Sequence, residues 1–265
     1  MRRAAYAESP EPLRCVSVLA FATAAIVTSP VAAMPITGGS PPVVVGSTAI
    51  AVSPPARVER WRETLAEIDT MIRAGEHAAA EKPLRRLIAE MAEHTGVGEG
   101  AAYTLAVSNA LLALAEYGQG DRDEAAWRWN VALALFPTFA DADLSPYGDA
   151  VGELSALAEK PFEAAREVLA PDDREGLELP RKIKSPKPSY PRTLRQMRIA
   201  GTLVVAAVVT AEGRIARPRF VNEPPAPALG YLALEALRDW RFEPARYQGR
   251  AIPFLFSVKI DWDLR

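Results

Sequence analysis

The cleanest alternation of apolar and polar positions lies at the end of the chain. There Phe254, Phe256, Val258, Ile260, Trp262 and Leu264 fall on one side, and Leu255, Ser257, Lys259, Asp261 and Asp263 on the other. A period of two predicts a half-buried antiparallel strand. Upstream, the pattern predicts a short helix after Tyr190-Pro191, a strand–turn–strand over Thr202 to Val221, and a helix from about Ala228 to Trp240. The module reads helix–strand–strand–helix–strand, with two helices on one face of a small three-stranded antiparallel sheet. Its first strand is apolar on both faces, because Leu203, Val205, Ala207 and Val209 alternate with Val204, Ala206 and Val208, and so suits the centre of the sheet. Pro218 has no N–H to give, which makes the second strand an edge with its proline pointing outward. The terminal strand is then the other edge.

From Arg57 to about Leu169 the period changes to that of a helix. Trp61, Leu65, Ile68 and Ile72 share one face, Ala74-Gly75-Glu76 breaks the helix, and Ala80, Leu84, Leu87 and Met91 form the next stripe. A loop with Gly96, Gly98 and Gly100 leads to a second pair. Its first member carries Leu105, Asn109 and Leu112; its second carries Ala125, Trp129, Ala132, Phe136 and Pro137. Gly120, Ala125, Ala132 and Pro137, with Trp129 at the large packing position, resemble a tetratricopeptide repeat. Asn109 and Ala113 depart from that pattern, and a plain helical bundle accounts for the same stripes. Two repeats need a cap, and Gly152 to Leu169, interrupted by Pro161, is the candidate.

Charge divides along the same lines. Arg57 to Pro180 carries 12 Lys and Arg against 24 Asp and Glu, a net of −12, whereas Arg181 to Arg265 carries 16 against 7, a net of +9. Opposed halves imply docking on each other, different partners, or two solvated surfaces that differ. At the start, Arg2, Arg3 and Arg14 precede an apolar run from Val16 to Val27, followed by small residues to Ala33. This is the form of a secretory signal cleaved after Ala33, or of a signal anchor retained through residues 14–33. Either places the rest outside the cytoplasm. The chain divides into a signal or anchor at 1–33, a Pro/Gly-rich linker at 34–56, a helical domain at 57–169, a second linker at 170–189, and the mixed module at 190–265. The expected fold class is α+β. The lone Cys15 forms no internal disulfide.

No catalytic constellation emerges. His77 and His94 lack the neighbours of a metal site, and Asp121-Arg122-Asp123-Glu124 reads as a helix start, not a calcium loop. Phosphate loops and nucleophile elbows are also missing. The chain therefore reads as a binding protein without cofactor or metal, not an enzyme, and nucleic acid is not among its expected partners. The expected site is the backbone of the terminal edge: Pro253, Phe254, Leu255, Phe256, Ser257, Val258, Lys259, Ile260 and Asp261. An open edge is a template for an added strand. Leu255, Ser257 and Lys259 would tune it, and the aromatic residues belong to the core.

In order, Tyr190-Pro191, Gly201 opening an apolar strand, Glu212-Gly213 at the hairpin, Trp240-Arg241-Phe242, Pro244-Ala245, Gly249 and the alternating last strand resemble the C-terminal domain of the TonB family. The resemblance implies a periplasmic domain that grips the "TonB box" of TonB-dependent outer-membrane receptors by adding a strand to its sheet edge, in the service of energy-dependent transport. It also implies the partners ExbB and ExbD at the membrane anchor, although the apolar run here lacks the histidine that the family's anchor carries. The turn before the second helix departs too, being Asn222-Glu223-Pro224-Pro225-Ala226-Pro227 in place of Ser and Gly. The other reading is an envelope scaffold, whose helical-repeat groove takes a periplasmic protein while the sheet docks or pairs as a homodimer.

Overall fold

The computed structural model describes residues 55–94, 99–168 and 176–264. The signal or anchor at 1–33, residues 34–54 of the first linker, and Gly96 and Gly98 lie outside them.

Two helical hairpins come first: α1 (Pro55–Arg73) with α2 (His77–His94), then α3 (Glu99–Gly118) with α4 (Arg122–Leu135). Their predicted stripes are buried, with Trp61, Leu65, Ile68, Leu84, Met91, Leu105 and Leu112 all in the core. Asp121 caps α4, its side chain accepting the Glu124 N–H at 3.3 Å, and Asp123 and Glu124 occupy the first turn. Acidic residues there face the positive end of the helix dipole. Two short 3-10 turns, Pro137–Asp141 and Ser145–Tyr147, lead into α5 (Ala150–Val168), which contains Pro161 and lies against α3 and α4.

The C-terminal part carries eight strands: β1 (Leu177–Glu178), β2 (Arg181–Lys184), β3 (Gly201–Val209), β4 (Ile215–Phe220), β5 (Arg241–Glu243), β6 (Ala245–Tyr247), β7 (Arg250–Ile252) and β8 (Phe254–Trp262). Helix α6 (Arg192–Gln196) precedes β3, and α7 (Pro227–Arg238) joins β4 to β5. The main sheet has the order β4-β3-β8, all antiparallel, with β3 in the centre as its two apolar faces require. Leu203, Val205, Ala207 and Val209 join Leu194 of α6 and Leu229, Leu234 and Leu237 of α7 in one core. Two small sheets, β1-β6-β7 and β2-β5, complete the part.

Two expectations are corrected. The segment read as a linker at 170–189 holds β1 and β2, paired to β6 and β5. Their partners lie 57 to 70 positions downstream, so no local pattern announces them. Pro218 does make β4 a sheet edge, but it does not point outward: it is buried, and α4 and α5 lie against β4. A bulge there, with Arg217 at φ 44°, turns the Arg217 side chain to Glu159 of α5 at 2.6 Å.

The opposed halves dock. Helix α7 packs between its own sheet and α2, α3 and α4, with Leu232, Glu235, Ala236 and Arg238 partly exposed. Arg238 of α7 pairs with Glu124 of α4, and Arg128 of α4, only 3% exposed, reaches Glu235 of α7 at 2.6 Å. Arg128 also lies 3.3 Å from Glu124 and 3.9 Å from Glu116, which in turn accepts from Arg85 at 2.7 Å.

Within this network Glu116 is the carboxyl with least water. Burial pushes it up to about 7, against the pull of Arg128 and Arg85, and Glu124 and Glu81 add to the rise. A raised carboxyl means that the folded state binds the proton more tightly than the unfolded state. Its penalty is absent below the unfolded value of 4.5, grows as pH rises towards 7, and is complete above that. At about 1.4 kcal/mol per pH unit the loss amounts to about 3 kcal/mol. Urea unfolding from pH 5 to 8 should show this decline in the wild type and a flatter profile in Glu116→Gln. Equal slopes would contradict it.

Candidate functional site

The expected site falls on β8 except for Pro253, which precedes the strand, and β8 pairs to β3 from Phe254↔Val209 to Trp262↔Gly201 without interruption. Among the described residues no strand pairs with its other side. Which of its backbone groups face that open side follows from the neighbouring ladder. The Val221 N–H donates to the Val204 carbonyl at 2.9 Å, and the Thr210 N–H to the Arg214 carbonyl at 2.8 Å. Even-numbered residues of β3 therefore turn their backbone to β4, and odd-numbered ones turn theirs to β8. By register, Phe254, Phe256, Val258, Ile260 and Trp262 answer β3. Leu255, Ser257, Lys259 and Asp261 are left with N–H and C=O directed to the open edge. Their side chains share one face, so the residues read as tuning the site are also those whose backbone is unclaimed.

The two faces of the edge differ. On one, Ile260 and Trp262 are buried while Phe254, Phe256 and Val258 are half-exposed at the rim. On the other, Ser257, Lys259 and Asp261 are exposed. Asp261 accepts from the Thr202 hydroxyl at 2.6 Å and lies 3.2 Å from the Lys259 ammonium. The Thr202 hydroxyl, then Lys259, hold the Asp261 carboxylate below the usual carboxylate range. The charges offset each other while the strand stands alone, which discourages indiscriminate edge pairing.

The motif residues support this strand without touching its open side. Phe242 meets Phe256 edge-on at 5.3 Å, and Trp240 lies 6.2 Å from Phe242 while donating from Nε1 to the Pro186 carbonyl at 3.0 Å. Gly213 receives the Phe242 N–H on its carbonyl at 2.9 Å, tying the β3–β4 hairpin to β5. The Tyr190 hydroxyl donates to the Ile199 carbonyl at 2.6 Å, and Pro191 is buried at the start of α6. Gly201 faces Trp262 in the ladder, Pro244 separates β5 from β6, and Gly249 forms the β6–β7 turn, its carbonyl accepting from Arg246 at 2.9 Å. The unusual turn before α7 has its own device. Asn222 accepts the Val204 N–H at 2.7 Å and donates to the Thr202 carbonyl at 2.9 Å, completing the β3 ladder where β4 ends.

Beside α3, Val107, Ala110, Leu111 and Leu114 line a small cavity together with Trp129, Phe139, Leu144 and Tyr147. The Tyr147 hydroxyl bonds Asp69 of α1, and Arg73 lies 5.5 Å over its ring. Sequence reasoning missed the Arg128 network. A charged Arg128 within the apolar stripe of α4 was the one available signal.

Residues 186–264 match the family described as Gram-negative bacterial TonB protein C-terminal. Protein TonB of Escherichia coli (strain K12) is 30% identical over 80 residues, covering 30% of this chain and 34% of that protein. Protein TonB of Klebsiella aerogenes is 34% identical over 67 residues, covering 25% and 28%. The chain thus spans about a third of the length of the curated relatives it matches, and the tetratricopeptide likeness of 57–169 stands as an expectation.

Proposed function

From the TonB C-terminal domain at residues 186–264, we propose that the protein binds TonB-dependent outer-membrane receptors by accepting a receptor strand along β8, as part of energy-dependent transport across the cell envelope. One observation carries the reading. β8 presents a nine-residue uninterrupted edge whose outward backbone groups belong to Leu255, Ser257, Lys259 and Asp261, while β4, the opposite edge, lies against α4 and α5, the latter of which also reaches β8. An added strand gains affinity from those backbone groups and register from the alternating side chains. Coupling through ExbB and ExbD belongs to the anchor reading of residues 14–33, outside the described residues. No helix among those described is long and apolar enough to cross a membrane.

Proline tests the polarity of the edge. Ser257→Pro removes an N–H that faces the open side, so the fold should survive while affinity for a synthetic TonB-box peptide falls about tenfold, the value of one or two backbone hydrogen bonds. Val258→Pro removes an N–H that answers β3 and should unfold the sheet. Undiminished peptide binding by folded Ser257→Pro would exclude β8 as the acceptor.

A further inference from the structure

Between Leu179 and Arg198 the chain carries seven Lys and Arg residues and neither Asp nor Glu. This strip is fixed in place. The Arg181 guanidinium is bonded to Glu243 at 2.8 Å, the Lys182 ammonium lies 4.1 Å over Trp240, and Arg195 lies 5.0 Å over Tyr190. It is also fixed relative to the open edge. At Pro186 it bonds Trp240, whose partner Phe242 meets Phe256 of β8, and at Tyr190 it comes within electrostatic reach of Asp263, just past the end of β8. The strip is thus anchored to residues that support β8 and passes near the end of that strand at Tyr190, with Lys184, Lys187, Arg192 and Arg198 exposed. Leu179 and Ile183, 67% and 64% exposed, place apolar footing at its start.

We infer that this strip is a second docking surface, for an acidic segment of the same partner polypeptide whose strand is taken by β8. The inference rests on the reading of β8 as acceptor. Charge decides the chemistry: Arg181 is paired with Glu243, but a cationic strip with no acid of its own still attracts a segment rich in Asp and Glu, steering it before backbone pairing forms. Position decides the class of partner. An anionic bilayer has the same chemistry, but a surface set beside a strand-accepting edge meets the flank of whatever strand arrives.

The test uses the full chain and two fluorescent peptides, a neutral strand-forming peptide and the same peptide extended by four glutamates. At low ionic strength the extended peptide should bind about fivefold more tightly, as expected for a few exposed charge pairs. That advantage should vanish at high salt, where charges are screened. K184E/K187E, at exposed positions, should remove the advantage and leave the neutral peptide's affinity unchanged. An advantage that is absent, or that survives K184E/K187E, overturns the inference. So does a K184E/K187E effect confined to phosphatidylglycerol vesicles, which would make the strip a membrane surface. Ser257→Pro separates the two claims: if it weakens neither peptide while K184E/K187E still abolishes the advantage, the strip stands and the edge reading falls.

Discussion

Arg128→Ala should destabilise the protein by about 4 kcal/mol, the range found when one member of a buried ion pair is removed. The guanidinium is 3% exposed and faces three carboxylates, Glu235 at 2.6 Å, Glu124 at 3.3 Å and Glu116 at 3.9 Å. Truncation leaves those acids close together in a poorly solvated seam between α4 and α7. Water cannot repay what the guanidinium supplied, and Glu116, already raised, would hold its proton to still higher pH. Arg128→Lys should recover only part of the loss, since a single ammonium cannot serve carboxylates on two sides as a planar fork does. Urea unfolding at pH 7 reads the difference. A loss below about 1 kcal/mol, the value of an exposed pair, would show that the seam is wet.

Gly213→Ala should cost about 3 kcal/mol or more, and its damage should reach β8. Gly213 sits at φ +76°, which disfavours any side chain by about 1–2 kcal/mol. A Cβ there would stand 1.9 Å from the Phe242 carbonyl oxygen, so the backbone of β5 or the hairpin has to shift. Overpacking of that kind adds about 1–3 kcal/mol. The shift would carry Phe242 away from Phe256, and with it the support of the accepting strand. Thermal unfolding and Phe256 side-chain NMR shifts would report it together. A stable Gly213→Ala with unmoved Phe256 would contradict the tight approach.

The sheet and the strand that carries the candidate site were legible because their signals are local. Alternation along Phe254 to Trp262 gives both the strand and its buried face, and the doubly apolar run from Leu203 to Val209 places β3 at the centre. The acidic start of α4 likewise announces its own cap. What stayed hidden depends on distant partners. Strand β2 owes its existence to β5 and to Glu243, and nothing in Arg181-Lys182-Ile183-Lys184 alternates. Helix α7 looks amphipathic in isolation, yet its polar Glu235 and Arg238, partly exposed, pair with Arg128 and Glu124 of α4. The opposed net charges of the two halves did hold that information, but as one of several readings. Pro218 shows the reverse case: its missing N–H correctly marked an edge, while the helices against that edge could not be inferred from it.

Amide hydrogen exchange along β8, with and without a TonB-box peptide, tests strand acceptance most directly. In the free protein Phe256, Val258 and Ile260, which answer β3, should exchange slowly, and Leu255, Ser257, Lys259 and Asp261 should exchange fast. Peptide should slow the second set and leave the first nearly unchanged. Binding that leaves Leu255, Ser257, Lys259 and Asp261 fast, or that protects amides elsewhere in their place, would contradict it.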